Sequence, residues 1–144
     1  MFEAYVAGFL DADGMVSMEK SLNRHLEHQR FATVMFANAD RGILEEIQER
    51  WGGHIVARKA QKENHNTSYI LKLTQDFALI LLRDVMPHMR HQKKKQRALL
   101  LLERFKQCTP RNGKYTPILI EQKMSLIEDF FNIQMRGAGA YDSL

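Results

Sequence analysis

The alternation of apolar and polar positions changes period several times along this 144-residue chain. Residues 2–12 carry apolar side chains at helical intervals and predict a helix. From Gly14 the period falls to two. Val16 and Met18 alternate with Ser17, Glu19 and Ser21, as in a strand. Polar residues 22–28 predict a turn, and residues 29–37 a second strand. On that strand Ala32, Val34 and Phe36 share one face, and Phe31, Thr33 and Met35 the other. Asp40 then offers an N-cap to a helix with Ile43, Leu44, Ile47 and Trp51 at helical spacing, closed by Gly52-Gly53. Residues 54–61 and 67–73 predict a third and a fourth strand around a turn at 62–66. Thr74 or Gln75 opens another helix, with Leu81, Leu82 and Val85 in its stripe and Pro87 as its interruption. A further helix covers 93–106. The stretch 109–116, with Pro110 and Gly113, is a loop, and Pro117 starts a last helix that runs to about residue 135.

This order predicts an α+β fold. Four antiparallel strands form one sheet with helices on one face, and the opposite face stays open, carrying alternate polar side chains. The length suits one domain, placed at residues 1–136, with C-terminal helices over 93–135 and a flexible tail at 137–144. Hydrophobic residues make up 44% of the chain and charged residues 26%, a globular balance, and no apolar run approaches a membrane span. Glu3 and Asp11 interrupt the first apolar segment, which therefore does not read as a secretory signal. A lone cysteine, Cys108, excludes an internal disulfide. The histidines lack zinc spacing: His88 and His91 stand three apart with no further ligand nearby.

Charge sharpens the picture. The net charge is +4, which a homodimer would double, and Arg90, Lys93, Lys94, Lys95 and Arg97 fall within one short stretch. Such a run is either a solvated helix face or a phosphate-facing patch. The segment from Tyr5 to Gly14 is the most specific in the chain. It begins as an apolar helix in which Ala4, Ala7 and Gly8 lie on or near one face, small enough for a second helix to approach closely. It ends in Asp11 and Asp13, followed by Gly14. Mg²⁺ takes oxygen ligands, often one or two carboxylates completed by substrate phosphates. The segment can thus pack two units together and set a metal-binding carboxylate at their seam.

Residues 6–14 resemble the LAGLIDADG motif of homing endonucleases, with Val6, Phe9 and Leu10 as apolar variants. The motif occurs once, which resembles the single-motif branch whose members act as homodimers. The order of elements through about residue 107 also resembles that family's αββαββα fold, a four-stranded saddle sheet with helices on one face. The resemblance implies a Mg²⁺-dependent, site-specific endonuclease, with Mn²⁺ or Ca²⁺ able to substitute in binding. Its partner would be double-stranded DNA, cut in a long pseudo-palindromic target with 3′ overhangs, and it would not act on a membrane. It would work inside the cell with its host genome, which is organellar, bacterial or phage. Asp13 would be the metal-ligating carboxylate and the Ala12 carbonyl a further ligand. Asp11 would be structural, at the dimer seam with Ala4, Ala7 and Gly8. Asn38 would orient metal-bound water, and Asn also suits a turn. Lys93, anchored on Gln96, would lie near the scissile phosphate; anchoring on Pro87 points nearer Gln92, the spacing from Pro87 being one residue longer than the family's, and Lys94 is the alternative. The outward sides of the strands are the place for base readout, with Ser17, Glu19, Ser21, Arg24, Gln29, Thr33, Arg58, Lys59, Gln61, Ser68 and Lys72 as the candidate set. Two other classes carry the same motif: an RNA maturase that binds its host intron, and a non-catalytic DNA-binding regulator.

Overall fold

In a computed structural model of the chain, described here for residues 1–21, 26–58 and 67–135, the first helix leads directly into the sheet. Helix α1 (Phe2–Asp13) buries Val6, Ala7 and Leu10. Strands β1 (Met15–Lys20) and β2 (Arg30–Asn38) follow, then α2 (Arg41–Trp51), β3 (His54–Arg58) and β4 (Ser68–Thr74). Helix α3 (Gln75–Val85) ends in a 3₁₀ turn at Met86–His88, where Pro87 has no N–H to continue the ladder. Helix α4 (Gln92–Leu100) continues through a π-turn (Leu101–Phe105) into α5 (Lys106–Cys108), and α6 (Pro117–Asn132) closes the described chain.

The sheet is antiparallel throughout, in the order β1-β2-β4-β3. Register decides its two faces. Val16 opposes Val34, Met18 opposes Ala32, and Leu71 and Leu73 oppose Phe36 and Val34. All of these are buried, and they form the core with α1, α2 and α3. The opposite face carries Ser17, Glu19, Phe31, Thr33, Met35, Arg58, Ser68, Ile70 and Lys72. The expected α+β fold with helices on one face is therefore what forms.

Local chemistry sets the joints. Asp40 Oδ1 accepts the Gly42 N–H at 2.9 Å and starts α2. Gly52 (φ 91°) and Gly53 (φ 101°) end it in left-handed backbone, and a Cβ at Gly53 would lie 2.8 Å from the Lys72 carbonyl oxygen. Thr116 Oγ1 accepts the Leu119 N–H at 3.2 Å with Pro117 in the first turn, which starts α6. Trp51 Nε1 donates to Asp84 Oδ2 at 2.9 Å, tying α2 to α3. That bond is the largest cause holding the Asp84 carboxyl below its usual range.

Candidate active site at the tip of the first helix

Helix α1 stops because Gly14 turns the chain back against it. The Gly14 N–H still bonds the Leu10 carbonyl at 3.1 Å. A Cβ at Gly14 would sit 2.5 Å from Leu10 Cδ1 and 2.9 Å from Leu10 Cα, so space, not backbone angle, demands glycine here. The last turn of α1 has no basic residue of its own. Lys94 of α4 supplies the cation. Its Nζ donates to the carbonyls of Leu10 (3.0 Å) and Asp11 (2.8 Å), orphan acceptors at the negative end of the helix.

Asp11 answers in the other direction. Its Oδ2 accepts the Arg90 N–H at 2.7 Å, so α1 and the start of α4 hold each other through two chemically different contacts. Asp11 Oδ1 is buried without a hydrogen-bond partner within the described residues. Asp13 is exposed, and among the described residues its carboxylate takes no hydrogen bond or ion pair. A groove of about 630 Å³ opens at this point, lined by Asp11, Ala12, Asp13, His91, Lys94 and Arg97. It runs onto the open face of the sheet, where Ser17, Met35, Ile70 and Arg58 continue its wall.

The groove fits a hard cation in part. Asp13 and the Ala12 carbonyl offer oxygen ligands, and Lys94 spends its ammonium on other carbonyls. Among the described residues no group of three acids, histidines or cysteines could hold a metal. One protomer thus offers few ligands, as Mg²⁺ sites completed by phosphate and water do.

Several expectations change with the structure. Lys93 is exposed and does not line the groove; Lys94 does, because His91 starts α4 at Gln92 and so fixes which lysine faces α1. Asn38 ends β2 with its Oδ1 accepting the Asp40 N–H at 2.8 Å, a turn role, and it is not part of the groove wall. Ala7 is fully buried in its own core, so within the motif helix only Ala4 and Gly8 of the proposed seam residues are exposed. No atom outside the helix comes within 4 Å of a Cβ built at Gly8.

The run of cations divides as well. Arg97 is buried, its guanidinium 4.6 Å from the Phe130 ring and its Nη1 3.4 Å from the Val16 carbonyl, so it ties α4 and α6 to the edge strand β1. Arg90 and Lys93 remain exposed.

On the open face, Ser17, Glu19, Arg58, Ser68 and Lys72 stand where alternation put them. Ser21 and Gln29 flank β1 and β2, both half-buried. Arg24, Lys59 and Gln61 lie outside the described residues, as does the tail from 137. Thr33 is the correction. It is fully buried and its hydroxyl has no partner among the described residues. The cause is an ion pair: Lys72 Nζ lies 2.5 Å from Glu19 Oε2. Glu19 sits opposite Phe31 and Lys72 opposite Met35, so the pair crosses β2 above Thr33. Ile70, Met35, Ala37, His54 and Val56 share this face and were missed, since a search for polar readers passes over apolar outward positions.

No protein-family model and no curated protein matches the chain. Solved structures do. The homing endonuclease I-CvuI in complex with its target, in the presence of calcium, matches with a TM-score of 0.70 at 18% identity, over 95% of this chain and 84% of that one. The archaeal intron-encoded homing endonuclease I-Vdi141I complexed with DNA matches at 0.69 and 21% identity, over 98% and 89%. The LAGLIDADG homing endonuclease I-SmaMI bound to cleaved DNA matches at 0.56 and 21% identity, over 86% of this chain but only 42% of that one. The open-faced sheet, the helix layer behind it and the acid-tipped first helix together constitute the fold of the LAGLIDADG homing endonucleases.

Proposed function

We propose that the protein is a site-specific, metal-dependent DNA endonuclease that works as a homodimer. The observation that carries this reading is Asp13: an exposed carboxylate without a partner among the described residues, at the tip of the motif helix, in a groove continuous with the open face of the sheet. I-CvuI and I-Vdi141I, each matched over most of its length, were solved with a target or DNA, which supports the same substrate class.

Asp13 and the Ala12 carbonyl would hold a divalent ion, Mg²⁺ by preference. When bound, such an ion supplies Lewis-acid charge and a more acidic water. The chain does the rest by positioning. Lys94 holds the helix tip at a fixed place, and Arg58 brings positive charge to the groove wall. Ser17, Ser68 and the Glu19–Lys72 pair present donors and acceptors along the sheet for base edges in a major groove.

Dimerisation is supported by two features of α1. Gly8 lies inside a helix, where glycine costs about 1 kcal/mol relative to alanine, and no contact among the described residues requires it. Asp11 Oδ1 is a buried acceptor with no donor among the described residues. A second copy of α1 packed at Gly8 explains both. Two such protomers imply a long, nearly palindromic target. The resemblance adds cleavage with 3′ overhangs and mobilisation of a host intron.

The test is cleavage selection from a randomised duplex library, with Mg²⁺ and with EDTA, for wild type and Asp13→Asn. Metal-dependent enrichment of a pseudo-palindrome, lost in the variant, is expected. Binding without cleavage by the wild type would replace the endonuclease with a regulator. Asp13→Asn cutting at the wild-type rate would remove Asp13 from the chemistry.

A further inference from the structure

We propose that His91 is a positioning residue of this site, acting through Lys94 on the tip of the motif helix; the proposal rests on the endonuclease reading above. His91 is the N-cap of α4, in extended backbone. Such caps are ordinarily Ser, Thr, Asn or Asp. Here the imidazole takes the role. Its Nδ1 accepts the Lys94 N–H at 3.2 Å, and its carbonyl oxygen accepts the Lys95 N–H at 2.9 Å. The bond uses the lone pair of Nδ1 where an ordinary cap uses an oxygen.

The residue fixed in this way is the one whose ammonium reaches the Leu10 and Asp11 carbonyls. Asp11 returns the contact at Arg90, the residue before His91. The contacts close a ring. The tip of α1 holds Arg90 through Asp11, His91 holds Lys94, and Lys94 holds the tip of α1. Ala12 and Asp13 extend from that tip into the groove that His91 and Lys94 also line. A lysine stem is long and flexible, and anchoring its backbone N–H limits where its ammonium can go.

The choice of histidine follows from the surroundings. Aspartate would cap the helix as well, but it would add a third carboxylate to a wall that already holds Asp11 and Asp13. A groove that must admit phosphate is better served by a cap that carries no negative charge.

The experiment measures Mn²⁺ binding to the full-length protein by the EPR signal of the free ion, beside the Mg²⁺ dependence of cleavage. The variants are His91→Ala, His91→Asn, Lys94→Met and the His91→Ala/Lys94→Met double. His91→Ala is expected to weaken Mn²⁺ binding about tenfold, as loss of a residue that orients ligands does. His91→Asn restores a cap without negative charge and is expected within about twofold of wild type. In the Lys94→Met background, His91→Ala is expected to add nothing, because it acts through Lys94.

Wild-type affinity in His91→Ala, no rescue by Asn, or multiplying effects in the double variant would each overturn the proposal. If His91→Ala does not fold, His91→Asp replaces it. It caps as Asn does, and is expected to bind duplex in EDTA about fivefold more weakly than His91→Asn; equal binding overturns the proposal. Failure of the endonuclease reading shows separately, in a wild type that neither binds Mn²⁺ nor cuts any duplex, and the proposal falls with it.

Discussion

Two lysine ammoniums in this molecule each reach two oxygens among the described residues, in opposite surroundings. Lys94 is half-buried and donates to backbone carbonyls at the negative end of α1. Those acceptors favour a cation. Lys123 of α6 is fully buried and donates to Thr109 Oγ1 at 2.9 Å and Tyr115 Oη at 2.8 Å, with the Phe105 ring 4.8 Å away. Hydroxyls and rings are neutral and repay less of the lost hydration. Burial pulls the Lys123 ammonium from 10.5 down to about 8. The first lysine anchors the end of α1; the second carries its charge where burial disfavours it.

The largest effect expected from this contrast is on turnover. Lys94→Met should slow cleavage about 100-fold, the scale of a small misplacement of reacting groups, while the melting temperature shifts little. A variant cutting as fast as wild type would make Lys94 as dispensable as any surface lysine.

Next is Gly14→Ala, which forces the tip of α1 away from Lys94. The overlap with Leu10 should cost about 2 kcal/mol in urea unfolding and lower cleavage as well. A stability loss with normal cleavage would mean that the tip need not be held so closely.

The third prediction isolates Lys123. Its folded value lies below the unfolded one, so between them the unfolded chain binds more protons and stability rises with pH. Cys108 works the other way above its ordinary value of 9, since burial raises its thiol. Stability should therefore increase by about 1 kcal/mol from pH 8 to 9 and then level off. Urea unfolding across that range measures it, and Lys123→Met should abolish the rise. A flat wild-type profile would show that the hydroxyls compensate the buried charge after all.

The smallest effect is at Gly8. Gly8→Ala meets no clash within the chain and should stabilise an isolated protomer by about 1 kcal/mol while weakening self-association in sedimentation equilibrium. Tighter association would remove Gly8 from the seam.

Most of the sheet was legible because alternation carries it. Alternation alone puts Val16 and Met18 on one face of β1 and Ala32 and Val34 on one face of β2, and the register that sets Val16 opposite Val34 brings the two sets together. The helix stops at Gly52-Gly53 and the break at Pro87 follow from backbone chemistry that a sequence states directly. What the sequence could not reveal depends on contacts between distant residues. Thr33 is outward by alternation, yet Glu19 and Lys72 close over it from two other strands. Helical spacing put Ala7 beside Ala4 and Gly8, but only the packing of α1 on the core turns it inward. The choice between Lys93 and Lys94 depended on where α4 starts, and an unusual cap at His91 decides that. The π-turn at 101–105 lies inside a stretch whose periodicity predicts an unbroken helix, with no proline or glycine to announce it.

The ion pair over Thr33 has a consequence for anyone altering the open face of the sheet. Glu19 and Lys72 behave as one letter written with two strokes. Erasing one leaves the other charge without this partner, above a hydroxyl that has none among the described residues. Libraries that vary the two positions together, with Thr33 included, will sample coherent surfaces; libraries that vary them singly will mostly sample broken ones.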